Sequence, residues 1–147
     1  MMKKPARLTE FEARLVETLE ATKLEMVGWV VLPNHYHALV LVDRLEYVAA
    51  AAKQLHGFTS RLWNIEDGSR GRKVWFKYED RRIRSERHHF AALNYIHYNP
   101  VKHKHVASPL DWPWSSAHVY LKDMGRGWLR DKWKKFPILE MGKGWDD

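Results

Sequence analysis

Two histidines stand one residue apart in the apolar stretch LPNHYHALV, which covers residues 32–40. On a β-strand, His35 and His37 project from the same face about 6.5–7 Å apart, so both rings can reach one metal ion. Tyr36 points to the opposite face and is expected to pack. The alternative is a pair of core histidines bonded to backbone or carboxylate groups. Two imidazoles supply only part of a coordination shell, so a further ligand must come from elsewhere.

A second chemically distinctive stretch, YIHYNPVK, covers residues 95–102. Tyr95 and Asn99 are four residues apart and share one face of the predicted helix. The amide oxygen of Asn99 is a hard ligand that suits Mg²⁺ or Mn²⁺. The phenol of Tyr95 is a weak nucleophile, and a cation that polarises a phosphate would assist its attack. Alternatively, Tyr95 packs in the core and Asn99 ends the helix before Pro100.

Hydrophobic periodicity predicts the elements that must hold these residues. Three helices are predicted, over residues 8–23, 45–64 and 85–99. Four strands are predicted, over residues 25–32, 36–42, 74–79 and 81–85. Thr9 and Glu12 read as a capping box at the start of the first helix, and Pro100 is expected to stop the third. This order predicts an α+β fold in which helices pack on one sheet.

Composition indicates one domain with a basic surface. The 147 residues include 45% hydrophobic residues and eight tryptophans, and the formal net charge is +7. This balance predicts a polyanionic partner, with nucleic acid first, and surplus surface lysine and arginine is the alternative. The absence of cysteine excludes disulfides and thiolate zinc sites. Neither a signal peptide nor a membrane-spanning stretch is expected, so a cytoplasmic location fits best.

Four blocks in the same order resemble a known family. LPNHYHALV and YIHYNPVK are accompanied by VWFKYEDRRIRS at residues 74–85 and DWPWSSAHVYL at residues 111–121. Together they resemble the single-tyrosine HUH transposases, and most closely the REP-associated tyrosine transposases. The resemblance implies an HUH (ferredoxin-like) antiparallel sheet with helices packed on it. It implies a single transposase domain over 1–147, of which 122–147 form a basic, Trp-rich C-terminal tail.

The resemblance also implies roles for individual residues. His35, His37 and Asn99 match the ligands of a divalent metal, Mg²⁺ or Mn²⁺. Tyr95 matches the nucleophile that attacks a DNA phosphate and becomes a 5′-phosphotyrosine, and Tyr98 is the competing candidate. The implied substrate is single-stranded hairpin DNA. Basic residues that flank the predicted site are candidate phosphate contacts: Arg81, Arg82, Arg84, Lys102 and Lys104.

Two rival functions follow from the same residues. A domesticated or truncated relative would bind hairpin DNA without cleaving it. A metal-dependent phosphoesterase would instead activate water, and Tyr95 would then be structural.

One departure from the family concerns the N-terminus. Family members usually carry a strand before the first helix, whereas residues 1–7 show no β-pattern. Without that strand, backbone edges beside His35 and His37 are expected to lack a partner. Pairing with another chain would repair this, so the sequence leaves monomer and homodimer open.

Overall fold

A computed structural model describes residues 2–139 and 141–143 of the chain. The elements in chain order are α1 (Pro5–Ala21), β1 (Glu25–Val31), β2 (Tyr36–Leu41), α2 (Leu45–Glu66), α3 (Glu86–Lys102), a 3-10 turn (Pro109–Asp111), α4 (Ala117–Met124) and α5 (Arg126–Lys135). Two compact units are present, one formed by 1–26 with 40–81 and the other by 27–39 with 82–147. The single-domain organisation stays a prediction. No helix among the described residues is long and apolar enough to cross a membrane.

The predicted α+β class is confirmed, with a smaller sheet than expected. Within the described residues the sheet consists of β1 paired with β2. The turn between these strands is closed by the Leu32 amide, which donates to the His35 carbonyl at 2.8 Å. The other edge of β1 is also occupied, because Val30 forms an antiparallel bridge with Ser115.

The two strands predicted over 74–79 and 81–85 are wrong. Residues 73–84 have no regular secondary structure. Val74 is 4% exposed, whereas Phe76 is 72% exposed, so only the start of this stretch is buried. A strand is stable only when its backbone groups pair with a neighbour. No neighbouring strand lies beside this stretch in the described part of the chain. The strand-forming residue types of this stretch were therefore not enough to produce a strand.

Two predicted helix boundaries are also wrong. Helix α1 begins at Pro5, four residues before Thr9, so Thr9 lies inside the helix and is not its cap. Proline suits a first helical turn because the amide that it lacks would have no intrahelical partner there. Helix α3 continues through Pro100 to Lys102. In the last turn, Pro100 removes one helical hydrogen bond without ending the helix.

In the unit formed by 1–26 and 40–81, α1 packs on α2. The buried side chains of α1 are Leu8, Phe11, Leu15 and Leu19, as the helical spacing predicts. Phe11 meets the rings of Trp63 and Trp75 at centroid distances of 5.9 and 5.2 Å. Arg7 donates to both carboxylate oxygens of Asp67 at the end of α2. Aromatic packing and this ion pair therefore fix the two helices together.

His56 is a half-buried ionisable group in this unit. Its ring stacks on Trp75 at 4.5 Å, and burial lowers the pKa of His56 to about 4 from its ordinary 6.5. The folded state therefore keeps the ring neutral at pH values where the unfolded chain protonates it. Because the unfolded state then binds more protons, stability falls as the pH drops from about 6.5 towards 4.

We expect His56→Phe to weaken this acid sensitivity, because phenylalanine keeps the stack and does not titrate. The free energy of unfolding should fall less between about pH 7 and about pH 5, by about 1 kcal/mol, a figure reduced for solvent screening of a partly exposed ring. Urea unfolding at both pH values measures the difference. His105→Phe, at an exposed histidine, is the control. An unchanged pH dependence in His56→Phe would contradict the assignment.

Candidate metal and nucleophile site

The turn between β1 and β2 places the two motif histidines side by side. β2 begins at Tyr36, the first residue of the predicted strand, so His37 lies in β2 and His35 lies just before it, in the turn. The two ring centroids are 5.2 Å apart with the planes nearly perpendicular. Both side chains are partly buried. The two rings therefore lie side by side, although His35 is in the turn and not in the strand.

His35 is oriented by the asparagine that precedes it. The Nδ1 atom of His35 lies 2.7 Å from Oδ1 of Asn34, and its Nε2 atom lies 3.3 Å from Oδ1 of Asn99. Both contacts are to acceptor oxygens, and a neutral imidazole carries one N–H. When Nδ1–H donates to Asn34, the lone pair on Nε2 faces a lone pair of Asn99. A proton or a cation between those two atoms removes the repulsion.

These donors fit a divalent cation. Adjacent ligands of an octahedral ion with bonds near 2.1 Å stand about 3 Å apart, close to the observed distance between His35 and Asn99. The contact of Nδ1 with Asn34 is the kind of outer interaction that fixes a ligating histidine. Nε2 of His37 is buried beside this pair, and the Nδ2 atom of Asn99 is buried with no hydrogen-bond partner among the described residues.

The third donor is an amide rather than another charged or imidazole group. Nowhere in residues 2–139 and 141–143 do three histidine, aspartate or glutamate side chains converge on a possible metal position. The amide oxygen of Asn99 lies beside His35, where the predicted third ligand is expected. Its binding role stays a prediction.

Tyr95 lies beside the histidines on the inner face of α3. Its ring centroid is 5.5 Å from that of His37, and Nζ of Lys102 donates to its hydroxyl at 3.1 Å. Lys102 reaches this position because α3 continues past Pro100, which leaves the lysine seven residues after Tyr95 on the same face. Tyr98, the competing candidate, is 43% exposed, whereas Tyr95 is 2% exposed. These contacts therefore favour Tyr95 over Tyr98 as the candidate nucleophile.

A glycine of the C-terminal segment (residues 137–139 and 141–143) covers the phenol of Tyr95. A Cβ atom added to Gly142 would lie 2.2 Å from two ring carbons of Tyr95 and 2.7 Å from its hydroxyl. Gly142 is also in the left-handed region, with φ of +78°. Only a residue without a side chain fits here, and the hydroxyl of Tyr95 is shielded from solvent as a result. Residues 144–147, the end of the predicted tail, lie outside the described residues.

A buried hydroxyl holds α3 against β1. Ser116 Oγ accepts from the Trp29 amide at 2.9 Å and donates to the Trp29 carbonyl at 3.2 Å. Its single proton is then used, so the Nε2 atom of His97, 2.8 Å away, must be the donor. Burial, with a smaller contribution from His118, lowers the pKa of His97 to about 3, which keeps that ring neutral. We call Trp29, His97 and Ser116 the serine junction.

Sequence reasoning missed several residues of this site. Gly142 and the serine junction are brought in by packing, and no spacing pattern indicated them. His103 is different, because its ring lies 4.9 Å from that of His35. It follows Asn99 by four residues, so helical spacing would have found it.

The five residues predicted to contact phosphates differ in their exposure and in their partners. Lys102 contacts the phenol of Tyr95, as described, whereas Arg81 pairs with Glu79 at 2.8 Å. Arg82, Arg84 and Lys104 are exposed. Contact of these five residues with DNA stays a prediction.

We expect Gly142→Ala to expose Tyr95, because the added methyl group collides with the ring and is strained at a positive φ. Nitration of Tyr95 by tetranitromethane, mapped by peptide mass spectrometry, should accelerate several-fold. Gly127→Ala is the matched control, because a Cβ at Gly127 meets nothing within 4 Å. Tyr98, which is already exposed, serves as the internal reference. Equal Tyr95 nitration in both variants would contradict the shielding.

Comparison with known proteins found relatives of one kind. A protein of Haemophilus influenzae named as a REP-associated tyrosine transposase is 28% identical over 138 residues, covering 80% of this chain and 76% of the relative. The REP-associated tyrosine transposase of Escherichia coli is 28% identical over 114 residues, covering 74% of this chain and 62% of the relative.

A solved structure, that of a REP-associated tyrosine transposase bound to a REP hairpin, is similar in fold. It aligns with a TM-score of 0.60 and 25% identity, covering 84% of this chain and 70% of that chain. No family model matches the chain.

Proposed function

We propose that this chain, a homologue of the REP-associated tyrosine transposases, binds hairpin DNA and cleaves one strand through a 5′-phosphotyrosine at Tyr95. Support comes from the relatives and from the solved structure, whose protein is bound to a REP hairpin. The basic charge of the chain, +7, suits a DNA partner. The observation that carries the proposal is the chain of contacts from Asn99 to His35, from His35 to His37 and from His37 to Tyr95.

The proposed reaction is a transesterification. A divalent cation, when bound by His35, His37 and Asn99, would withdraw charge from the scissile phosphate. The Tyr95 oxygen attacks phosphorus and its proton leaves, while the bond from phosphorus to the 3′-oxygen breaks and that oxygen is protonated. Attack by a 3′-hydroxyl reverses these steps and joins strands without another energy source.

Lys102 is assigned to the nucleophile in this scheme. Its ammonium donates to the Tyr95 oxygen at 3.1 Å and lies 5.2 Å from the ring centre. A charged donor both orients that oxygen and stabilises negative charge on it. In this scheme Lys102 acts at Tyr95, and its contact with DNA stays a prediction.

Lys102→Met should slow formation of the covalent adduct by about 10- to 100-fold, the scale expected when one preorganised donor is lost. Hairpin affinity should change little, because the lost contact is to Tyr95. Lys104→Met removes a neighbouring exposed lysine and is the matched control. Single-turnover adduct formation and DNA affinity are measured for both variants. If Lys102 acted only through its positive charge on DNA binding, Lys102→Met and Lys104→Met would weaken hairpin affinity equally.

A second function, hairpin binding without cleavage, is favoured by one observation. Tyr95 is 2% exposed, and Gly142 lies against its ring. A phosphate can reach the Tyr95 hydroxyl only after the C-terminal segment moves. A chain in which that segment stayed in place would bind DNA and leave it intact.

Adduct formation separates these functions. Radiolabelled hairpin DNA is incubated with the protein and Mg²⁺ or Mn²⁺, and a band resistant to detergent and heat is sought. We expect an adduct with the unmodified protein and with Tyr98→Phe, but none with Tyr95→Phe or His35→Ala. Tyr98→Phe is the matched control, since that phenol lies outside the site.

The other outcomes identify the rivals. Tight hairpin binding with no adduct, even in Gly142→Ala, supports the binding function. Cleavage that persists in Tyr95→Phe and is lost in His35→Ala supports hydrolysis by metal-activated water. Failure to bind hairpin DNA would overturn the proposal altogether.

A further inference from the structure

The stretch from Lys73 to Arg81, which we call the aromatic segment, is held firmly near its start. Val74 is buried, and the indole N–H of Trp75 donates to the hydroxyl of Thr59 at 2.9 Å. The Trp75 ring also stacks on His56 at 4.5 Å with an interplanar angle of 15°. These contacts all lie in the unit formed by 1–26 and 40–81. The backbone after Trp75 therefore starts from an anchored position.

Beyond Trp75 the segment presents aromatic rings to solvent. Phe76 is 72% exposed and Tyr78 is 45% exposed. Neither lies in a strand or helix. Phe76 and Tyr78 are two residues apart, and an exposed aromatic ring offers a flat face on which a planar ligand can stack.

Cations are interleaved with these rings. The ammonium of Lys73 lies 5.2 Å from the centre of the Phe76 ring. The carboxylate of Glu79 is paired with both Lys77 at 3.1 Å and Arg81 at 2.8 Å. Asp80 is a second carboxylate, so the three cations of the aromatic segment leave it a net charge of +1. The cation beside a ring is therefore Lys73, at Phe76.

We propose that the aromatic segment binds unpaired nucleotides of DNA, whose bases stack on Phe76 and Tyr78 while Lys73 and neighbouring cations contact the phosphates. This inference rests on the proposed function, since it assigns a place to the single-stranded part of the substrate. Nucleotides repeat a π-face with a negative charge, which is the chemistry that this segment complements. The surface contains none of the metal ligands and does not include Tyr95.

A second copy of the chain is the competing occupant. The residues VWFKYE favour a strand, and an extended segment without a strand partner can pair with the edge of another chain. Such pairing would not require the cations beside the rings. The ammonium of Lys73 beside the Phe76 ring therefore favours DNA, and self-association becomes an outcome of the test.

The test compares two hairpins that differ only in an unpaired 5′ overhang of about ten nucleotides, longer than the few bases that two rings can hold. Fluorescence anisotropy measures the affinity of the full chain for each. In the Phe76→Ala/Tyr78→Ala double variant, affinity for the overhang hairpin should fall at least tenfold, since stacking contributes roughly 5- to 150-fold per base. Affinity for the blunt hairpin should stay within about twofold.

The matched control is Leu45→Ala/Ile65→Ala, which removes two aliphatic side chains of similar exposure from the same unit. It should leave both affinities unchanged. Thermal unfolding by circular dichroism checks that both double variants are folded. Because Phe76 and Tyr78 are exposed, neither substitution is expected to lower the melting temperature by more than a few degrees.

Three results would overturn the inference: unchanged affinity for the overhang hairpin, equal loss on both hairpins, or loss of self-association in sedimentation with no effect on DNA. The covalent adduct at Tyr95 is measured in parallel. An adduct that forms normally while the overhang effect is absent contradicts this inference alone. Loss of overhang affinity in the double variant, with no adduct in the unmodified protein, supports this inference and contradicts cleavage.

Discussion

The hydroxyl of Ser116 is the contact on which the arrangement of the site depends. It bonds both the amide and the carbonyl of Trp29 in β1 and accepts from His97 in α3. A buried polar group that loses its partner costs about 1–3 kcal/mol, so each member of this serine junction holds the other two in register. His97 is only two residues from Tyr95. The junction therefore sets the position of the helix face that carries Tyr95 and Asn99.

The residues around the serine junction extend the same connection along β1. Trp112 donates its indole N–H to the Val31 carbonyl, and Tyr120 donates its hydroxyl to the Val27 carbonyl. The Trp114 carbonyl accepts from the Val31 amide. The DWPWSSAHVYL block thus occupies the outer edge of β1 with side chains and a single bridge. Gly28 permits this packing, because a Cβ there would lie 2.5 Å from Leu93.

Burial holds the residues of the site in fixed positions and also covers them. Asn99 is fully buried and Tyr95 nearly so. In such a buried environment, charges and dipoles act more strongly than in water. The same burial shields the Tyr95 ring from solvent. Asn94 connects α3 to the part of the chain that precedes the C-terminal segment. Its amide donates to the carbonyls of Lys132 and Phe136.

The sequence by itself determined the groups of the site that share one local element. His35 and His37 are neighbours at the turn into β2, and Tyr95 and Asn99 share one face of α3, which depends only on nearby residues. Helices α1, α2 and α3 and the α+β class followed from periodicity for the same reason, whereas α4 and α5 were not predicted. Only the tertiary structure decided that Gly142 covers Tyr95, that Ser116 joins α3 to β1, and that residues 73–84 form no strand. Those outcomes depend on which distant groups are available as partners, and spacing along the chain carries no information about that.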